Sequence, residues 1–479
     1  MTAITITFMD GTASHARSGC NMSIHSKGGL ETMKNLLSLI TVSFLSASSL
    51  GQQAITNTQQ DLEGSSFQNE ERWWRGNTHA HSWWSDGDAP PELIADWYKE
   101  HDYEFLVISD HNIMKEGVKW YPIDDTSRSV EQLHYAYEKY TQRFGDDWVE
   151  TRTIDGGREV KLKTLDEFRS LFEEPNRFIF INGEEITDSY NRHPIHMNGV
   201  NLVEKIEPRG GDDIPDTIQN TIDAVKAQSE FYGQPMLMHL NHPNFHYAQT
   251  PEDFFYLDYE AGDGFFEMWN GHSGVRNYGD ALHVSAERLW DIVLSKRLGE
   301  LGRSVIYGVA VDDAHEYAIW GLGETNPGRG WIMVKSKWLT ANKITEAIKR
   351  GDFYNSTGVS FSRLEVNEFG IDLAIDVTPG VEYTIEFIGT KKSTDLQGRE
   401  RQYVDHDHES NSEHMHRQLI SYSNEIGEVL KTVQGTAARY NVSGDEIYVR
   451  ARVTSTQPHG NPFAEGDVEM AWTQPLVVE

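Results

Sequence analysis

Cysteine is nearly absent: the 479 residues include one, Cys20. A lone thiol closes no disulfide within the chain and builds no thiolate cluster, so any metal must be held by His, Asp and Glu. Basic residues are also scarce. Against 74 Asp and Glu stand 42 Lys and Arg, a formal net charge of −32, and so large an excess repels nucleic-acid phosphates and anionic membrane surfaces. The expectation is therefore no nucleic-acid polymer as partner, with most acids forming a solubilising surface. There is no internal repeat, no helical heptad pattern and, past the N-terminal region, no apolar run long enough to span a bilayer. Hydrophobic content of 38% and charged content of 24% still describe a foldable chain, long enough for one large domain with a smaller one, or for two or three ordinary ones.

The one apolar run of note starts near Met33. Met33-Lys34-Asn35 supplies a positive region, residues 36–45 an apolar stretch interrupted only by Ser and Thr, and residues 46–51 a small-residue segment before Gln52. Residues 33–51 thus read as a secretory signal peptide, which predicts a periplasmic or secreted protein without stable membrane insertion. Residues 1–32 show none of this order and read as an upstream extension from a misassigned start codon; on that reading the mature protein has no thiol. Residues 52–71 form a polar linker.

Short apolar runs then alternate with amphipathic stretches. Strands are predicted at 77–82, 105–109, 178–182, 196–202, 236–239, 264–269, 304–311 and 330–335, several of them continuously apolar, as strands buried on both faces must be. Helices are predicted at 91–100, 130–144, 165–172, 214–232, 281–298 and 341–350. This alternation predicts an α/β fold over residues 72–360, a mostly parallel sheet with helical crossovers, open or closed into a barrel. Residues 114–176 read as an insertion of helices and acidic turns able to cover a site. From residue 361 to 479 apolar and polar residues alternate between Gly, Pro and Asn turns, which predicts a small antiparallel β-sandwich-like domain.

The chemistry concentrates at strand ends. In Asn77-Thr-His-Ala-His-Ser-Trp-Trp-Ser-Asp-Gly, His79 and His81 are two apart, so on an extended strand both imidazoles face one centre, and Asp86 follows in a tight turn. Similar residues recur after later strands: Asp110-His111-Asn112, Gly183-Glu184-Glu185, Asn241-His242-Pro243 and Asp312-Asp313-Ala314-His315. A barrel would bring these tips together.

These pieces, with Phe-Leu-Val-Ile-Ser-Asp-His-Asn, His-Met-Asn-Gly-Val and Phe-Phe-Glu-Met-Trp-Asn-Gly, resemble the polymerase and histidinol phosphatase (PHP) superfamily, and within it the CehA/McbA-like metallohydrolases. The resemblance implies a distorted (β/α)7 barrel with two to three divalent ions. It places His79, His81, Glu185 and Asp313 on one ion, Glu185, His196 and His242 on a second, and Asp86, His111 and His315 on a third. Only one of the adjacent pair Glu184 and Glu185 can face the centre from a strand, and the family's pattern selects Glu185. His193 competes with His196, which the surrounding motif favours. Imidazole and carboxylate ligands suit zinc, manganese or iron.

Such a centre generates hydroxide near neutral pH and neutralises charge on attacking and leaving oxygens. The expected activity is hydrolysis of a small phosphate mono- or diester by a metal-bridging hydroxide, with Asp110, Glu185 and His315 as candidate catalytic groups. A carboxyl-ester or carbamate hydrolase with the same ions is the alternative, and a non-catalytic metal-containing binding protein a second. Trp83 and Trp84 are candidates for stacking on substrate or for closing the rim, and Arg192 for clamping an anionic group. His193, His239 and His272 read as structural histidines within reach of a substrate. The His-rich segment 405–416 reads as a solvated loop.

Overall fold

The computed structural model describes residues 70–124, 129–401 and 419–479. The expected upstream extension, the signal peptide, nearly all of the linker and the His-rich segment lie outside them.

Short apolar runs fold into strands of two sheets. β1 (Arg72–Asn77) pairs in parallel with β2 (Phe105–Leu106), and β2 with β3 (Ile179–Phe180). β4 (Gly183–Tyr190), β5 (His193–Val200), β6 (Leu237–Leu240), β7 (Phe265–Asn270) and β8 (Tyr307–Val311) form the second, in the order β8-β7-β6-β5-β4. One apolar cluster draws on both sheets, with Trp74, Phe105, Val200, Leu237, Phe265 and Val309 all buried in it. Two seams join the sheets at the ends that carry the polar motifs. Ala80 bridges Ala314 and His111 bridges Glu185, both in parallel. In the first, His81 N–H donates to the Ala314 carbonyl at 2.9 Å and Asp313 N–H to the His79 carbonyl at 3.0 Å. In the second, Glu185 N–H donates to the Ser109 carbonyl at 2.9 Å and Asn112 N–H to that of Glu185 at 2.8 Å.

The helices follow local signals. The helix Ile214–Tyr232 starts where the Asp213 carboxylate accepts the Asp216 N–H and stops at Gly233, whose left-handed backbone a larger residue would adopt less readily. It buries Ile214, Ile218, Ile222 and Val225 along one stripe. The helix Leu165–Phe172 opens with a reciprocal Thr164 and Glu167 capping box.

The fold departs from the parallel alternation in three pairings. β4 and β5 form an antiparallel hairpin, β5 is antiparallel to β6, and β1 is antiparallel to β9 (Trp331–Ser336). At the hairpin tip Asn191 and Arg192 have φ of 47° and 70°, the two positive values that a tight turn matching the strand twist requires. The chain therefore reverses within two residues, between strand runs for which no connecting helix is predicted. β1 also ends earlier than predicted, at Asn77, because the Asn77 carboxamide accepts the His79 N–H and ends the regular ladder.

β9 extends the first sheet through β10 (Phe353–Ser356) to Val468–Thr473, Glu446–Pro458 and Tyr383–Lys391. A three-stranded sheet of Phe361–Asn367, Gly370–Ile375 and Ala437–Asn441 shares with it a cluster that includes Phe361, Ile371, Leu373, Ile385, Phe387 and Val453. The buried Arg450 joins this region to the helix Ala286–Leu294, donating to both Asp291 oxygens at 2.9 and 2.8 Å. Removing one partner of such a buried pair typically costs about 3–5 kcal/mol.

Residues 114–176, expected as an insertion of helices and acidic turns, carry more strand than that. Besides the helices Val130–Phe144 and Leu165–Phe172 they hold an antiparallel sheet of Lys119–Pro122, Gly157–Leu162 and Thr151–Ile154. Trp83 and Trp84 are 0% and 1% exposed and pack with Tyr121, Leu133, Tyr140 and Val160 of this insertion. Trp83 stacks on Tyr121 at 4.9 Å between ring centroids, and the Trp84 indole donates to the Lys163 carbonyl. Of the two expectations for these indoles, a face offered to substrate or closure of the rim, the first finds no exposed face: both indoles are covered where residues 114–176 pack. No helix among the described residues is long and apolar enough to cross a membrane.

Candidate metal centre

The two seams determine which side chains meet. The Ala80 bridge sets His79 and His81 on either side of one paired residue, so both rings point the same way. Their Nε2 atoms are 3.0 Å apart, and both residues are fully buried. Asp313 Oδ1 stands 3.1 Å from His79 Nε2 and 3.3 Å from His81 Nε2; Glu185 Oε2 stands 3.4 and 3.2 Å from the same atoms. Ligand atoms about 2.0–2.2 Å from a shared ion lie roughly 2.9–3.5 Å apart, so this spacing is that of ligands around one cation.

Glu185 extends the cluster. Its Oε2 is 3.0 Å from His111 Nδ1, and its Oε1 is 3.1 Å from His196 Nδ1 and 3.5 Å from His242 Nε2. Glu184 points away, its carboxylate accepting the Ile206 N–H, and burial pushes its pKa up to about 7. Asp86 gathers a further set: His81 Nδ1 at 3.4 Å, His111 Nε2 at 3.4 Å and His315 Nε2 at 3.5 Å. Its tight turn depends on Gly87, where any Cβ would collide with the His81 carbonyl. Three groups result whose ligand atoms lie within 4.8 Å of one another: His79, His81 and Glu185; His111, Glu185 and His196; and His81, Asp86, His111 and His315. His81 and His111 each belong to two of them, and His242 approaches from the Glu185 side.

The electrostatics call for a cation. Burial alone would lower the His81 pKa, yet hydrogen bonding to Asp313 and Glu185 raises it to about 10; His79 is raised in the same way, by Asp313, Glu267 and Glu185. Burial opposes ionisation of Glu185 and Asp313, but the surrounding imidazoles hold both well below the usual carboxylate range. Glu185 Oε2 and His196 Nδ1 are buried without a hydrogen-bond partner. Orphaned buried atoms in a set made only of imidazoles and carboxylates fit a divalent ion held by N and O ligands. Two of the ligand-bearing residues, His242 and Asp313, have φ of 26° and 48°, backbone strain of the kind that clusters at functional sites.

An outer shell escaped the sequence reading. Glu267 Oε1 accepts from His79 Nδ1 at 2.6 Å, while its Oε2 accepts the His242 N–H and the Asn270 amide, each at 2.8 Å. Asn241 donates to Glu185 Oε1 at 2.8 Å, and Asn270 to Asp313 Oδ2 at 3.0 Å. A carboxylate on the far nitrogen fixes the tautomer of a ligating histidine. The available signal was a glutamate inside the apolar run Phe265–Asn270, since a charge so placed is buried only when paired. His239 lies in this shell, 3.1 Å from the Thr78 hydroxyl, and burial lowers its pKa to about 4.

Two candidates stand outside the ligand groups. Asp110 accepts from Ser82 N–H and hydroxyl, both at 2.8 Å, and from the Ser85 hydroxyl at 2.7 Å, while Ser85 Oγ lies 3.3 Å from His81 Nδ1. Its oxygens are occupied in shaping the ligand loop. Arg192 is exposed at the hairpin tip, beyond the Glu185 and His196 positions, and makes no ion pair among the described residues.

No protein-family model matches the sequence, and no curated protein matches it. Among solved structures, the chain is similar to a two-domain protein from Bacteroides vulgatus containing a predicted PHP-like metal-dependent phosphoesterase, at 14% identity and a TM-score of 0.33, over 85% of this chain and 96% of that one. It is also similar to a Bifidobacterium adolescentis protein proposed to be a metal-dependent phosphoesterase, at 11% identity and a TM-score of 0.23, over 51% of this chain and 88% of that one.

Proposed function

We propose that the chain is a metal-dependent phosphoesterase of PHP type acting on a small phosphate mono- or diester. On this reading the ring of β1 to β8 is a distorted (β/α)7 barrel, and the layers after residue 360 are a β-sandwich-like domain. The signal-peptide pattern at 33–51 supports export to the periplasm or beyond. The observation that carries the reading is Glu185, a single buried carboxylate with His79, His81 and His111 around one oxygen and His196 and His242 around the other. A carboxylate so placed suits a shared ligand between two ions.

Divalent ions bound there would polarise a phosphate oxygen and make water acidic enough to attack near neutral pH. The residues of the chain prepare the site for that chemistry. Glu267 holds the His79 proton on Nδ1 and leaves Nε2 to face the centre. Asp110 acts through Ser85 on His81 and is a positioning residue. Asp86, 45% exposed beside His111 and His315, marks the side open to substrate.

The test is elemental analysis of the full-length protein, followed by metal stripping and add-back of Mn²⁺ or Zn²⁺ against a panel of phosphate monoesters, diesters, carboxyl esters and carbamates. Metal-dependent phosphate-ester turnover is expected, with His79→Ala and Asp313→Ala losing it while remaining folded by circular dichroism. Turnover of carbonyl substrates alone would replace this reading with a carbonyl hydrolase. Full metal occupancy with an inert panel would replace it with a binding protein.

A further inference from the structure

His272 stands beside the centre without belonging to any of the three ligand groups. His272 follows β7, and its ring stands edge-on to His315 at 5.2 Å and to Phe245 at 5.9 Å between centroids. Its mounting is stiff. Nδ1 accepts the Gly274 N–H at 2.9 Å, and the His272 N–H donates to Asn270 Oδ1 at 2.7 Å. The same Asn270 donates to Asp313 and Glu267, so the ring is tied to the ligand framework without being part of it.

That Nδ1 accepts a hydrogen bond determines the tautomer: the proton sits on Nε2. An Nε2 that carries a proton cannot ligate a metal, but it can donate. Among the described residues this donor has no acceptor. Nor is it sealed in, because His272 is partly exposed where His79 and His81 are wholly buried. The ring stands against His315, whose Nδ1 is 3.6 Å from Asp313 Oδ1, which places it at the edge of the centre.

We propose that His272 donates its Nε2–H to a charged oxygen of the substrate, so that the site favours substrates carrying an anionic oxygen beside the reacting bond. The inference rests on the phosphoesterase reading. A neutral N–H suits this position better than a Lys or Arg, whose full positive charge would repel the ions the neighbouring residues are arranged to hold. A fixed donor aimed at a phosphoryl oxygen gains strength as charge redistributes in the transition state.

The test uses full-length, metal-loaded His272→Phe and His272→Gln, with inorganic phosphate as the probe. Metal content by elemental analysis is expected to match wild type. Phosphate binding by calorimetry should weaken about tenfold in His272→Phe, and kcat/KM on the responding phosphate ester should fall about 10- to 100-fold. His272→Gln, which restores an N–H donor, should recover much of both. If the Phe variant does not fold, His272→Ala with and without added imidazole replaces it, and restoration of phosphate binding by imidazole is then expected. Unchanged phosphate affinity, loss of metal on substitution, or no rescue by either Gln or imidazole would each overturn the proposal. If metal-loaded wild type neither binds phosphate nor cleaves any phosphate ester, the phosphoesterase reading falls and takes this inference with it. Wild-type binding that the variants leave unaltered sinks the role of His272 alone.

Discussion

Replacing Glu267 with Gln keeps the shape of the side chain while removing one buried charge from behind His79. The native carboxylate accepts three hydrogen bonds: from His79 Nδ1 at 2.6 Å, and from the His242 N–H and the Asn270 amide at 2.8 Å each. A glutamine oxygen can still serve His242 and Asn270, but its NH2 then meets the Nδ1–H of His79, donor against donor. The ring must give up that bond or change tautomer, and the second choice puts a proton on the Nε2 that faces Asp313 and Glu185. A hydrogen bond to a charged group contributes about 1.5–3 kcal/mol. Since each 1.4 kcal/mol is about tenfold, the expected loss is about 10- to 100-fold in metal affinity, the range typical of such outer partners. The assay is a metal titration against a competing chelator on stripped protein, with activity read at rising metal. Affinity should drop by that factor and activity return in part at high metal, with an unchanged circular dichroism spectrum. Affinity within twofold of wild type in a folded variant would refute the claim that Glu267 orients His79.

Two further outcomes follow from the way the insertion docks. Burial pushes Glu92 up to about 7, partly offset by hydrogen bonds from Tyr140 and Trp148. Its folded pKa thus lies above the unfolded value, so its contribution to stability is fully present below about pH 4.5 and is lost as pH rises through about 7. Denaturant melts from pH 5 to 8 should show stability falling more in wild type than in Glu92→Gln, by on the order of 3 kcal/mol; parallel curves would contradict this. Trp84→Ala should cost about 3–5 kcal/mol of stability through the cavity it leaves and expose residues 114–176 to limited proteolysis, whereas a change in KM at unchanged stability would show that the indole serves substrate after all.

Part of this centre was readable from residue order because strand geometry is local. Two residues apart on an extended chain means one face, so His-Ala-His predicted a shared direction even though the regular strand ends at Asn77. The same alternation required that Glu184 and Glu185 face opposite sides, and pairing to Ser109 turned Glu185 inward. The hairpin was also within reach: Asn191 before Arg192 is a turn signal, and no helical pattern lies between the predicted strands 178–182 and 196–202. The indole pair shows the limit. Whether Trp83 and Trp84 face a cleft or a docked insertion depends on where Tyr121, Leu133 and Tyr140 arrive, and no local pattern carries that.

The sequence by itself determined the types of ligand available, the strand ends that bear them and the absence of thiolate chemistry, because each is a matter of composition or of short-range periodicity. Tertiary structure decided which of them meet. The joining of Ala80 to Ala314 and of His111 to Glu185 brings residues far apart in the chain to about 3 Å. Only in that closed arrangement do Glu267 and Asn241 acquire the partners that make their burial tolerable, since the partner of a buried charge is set by long-range pairing of strands and not by its neighbours in sequence.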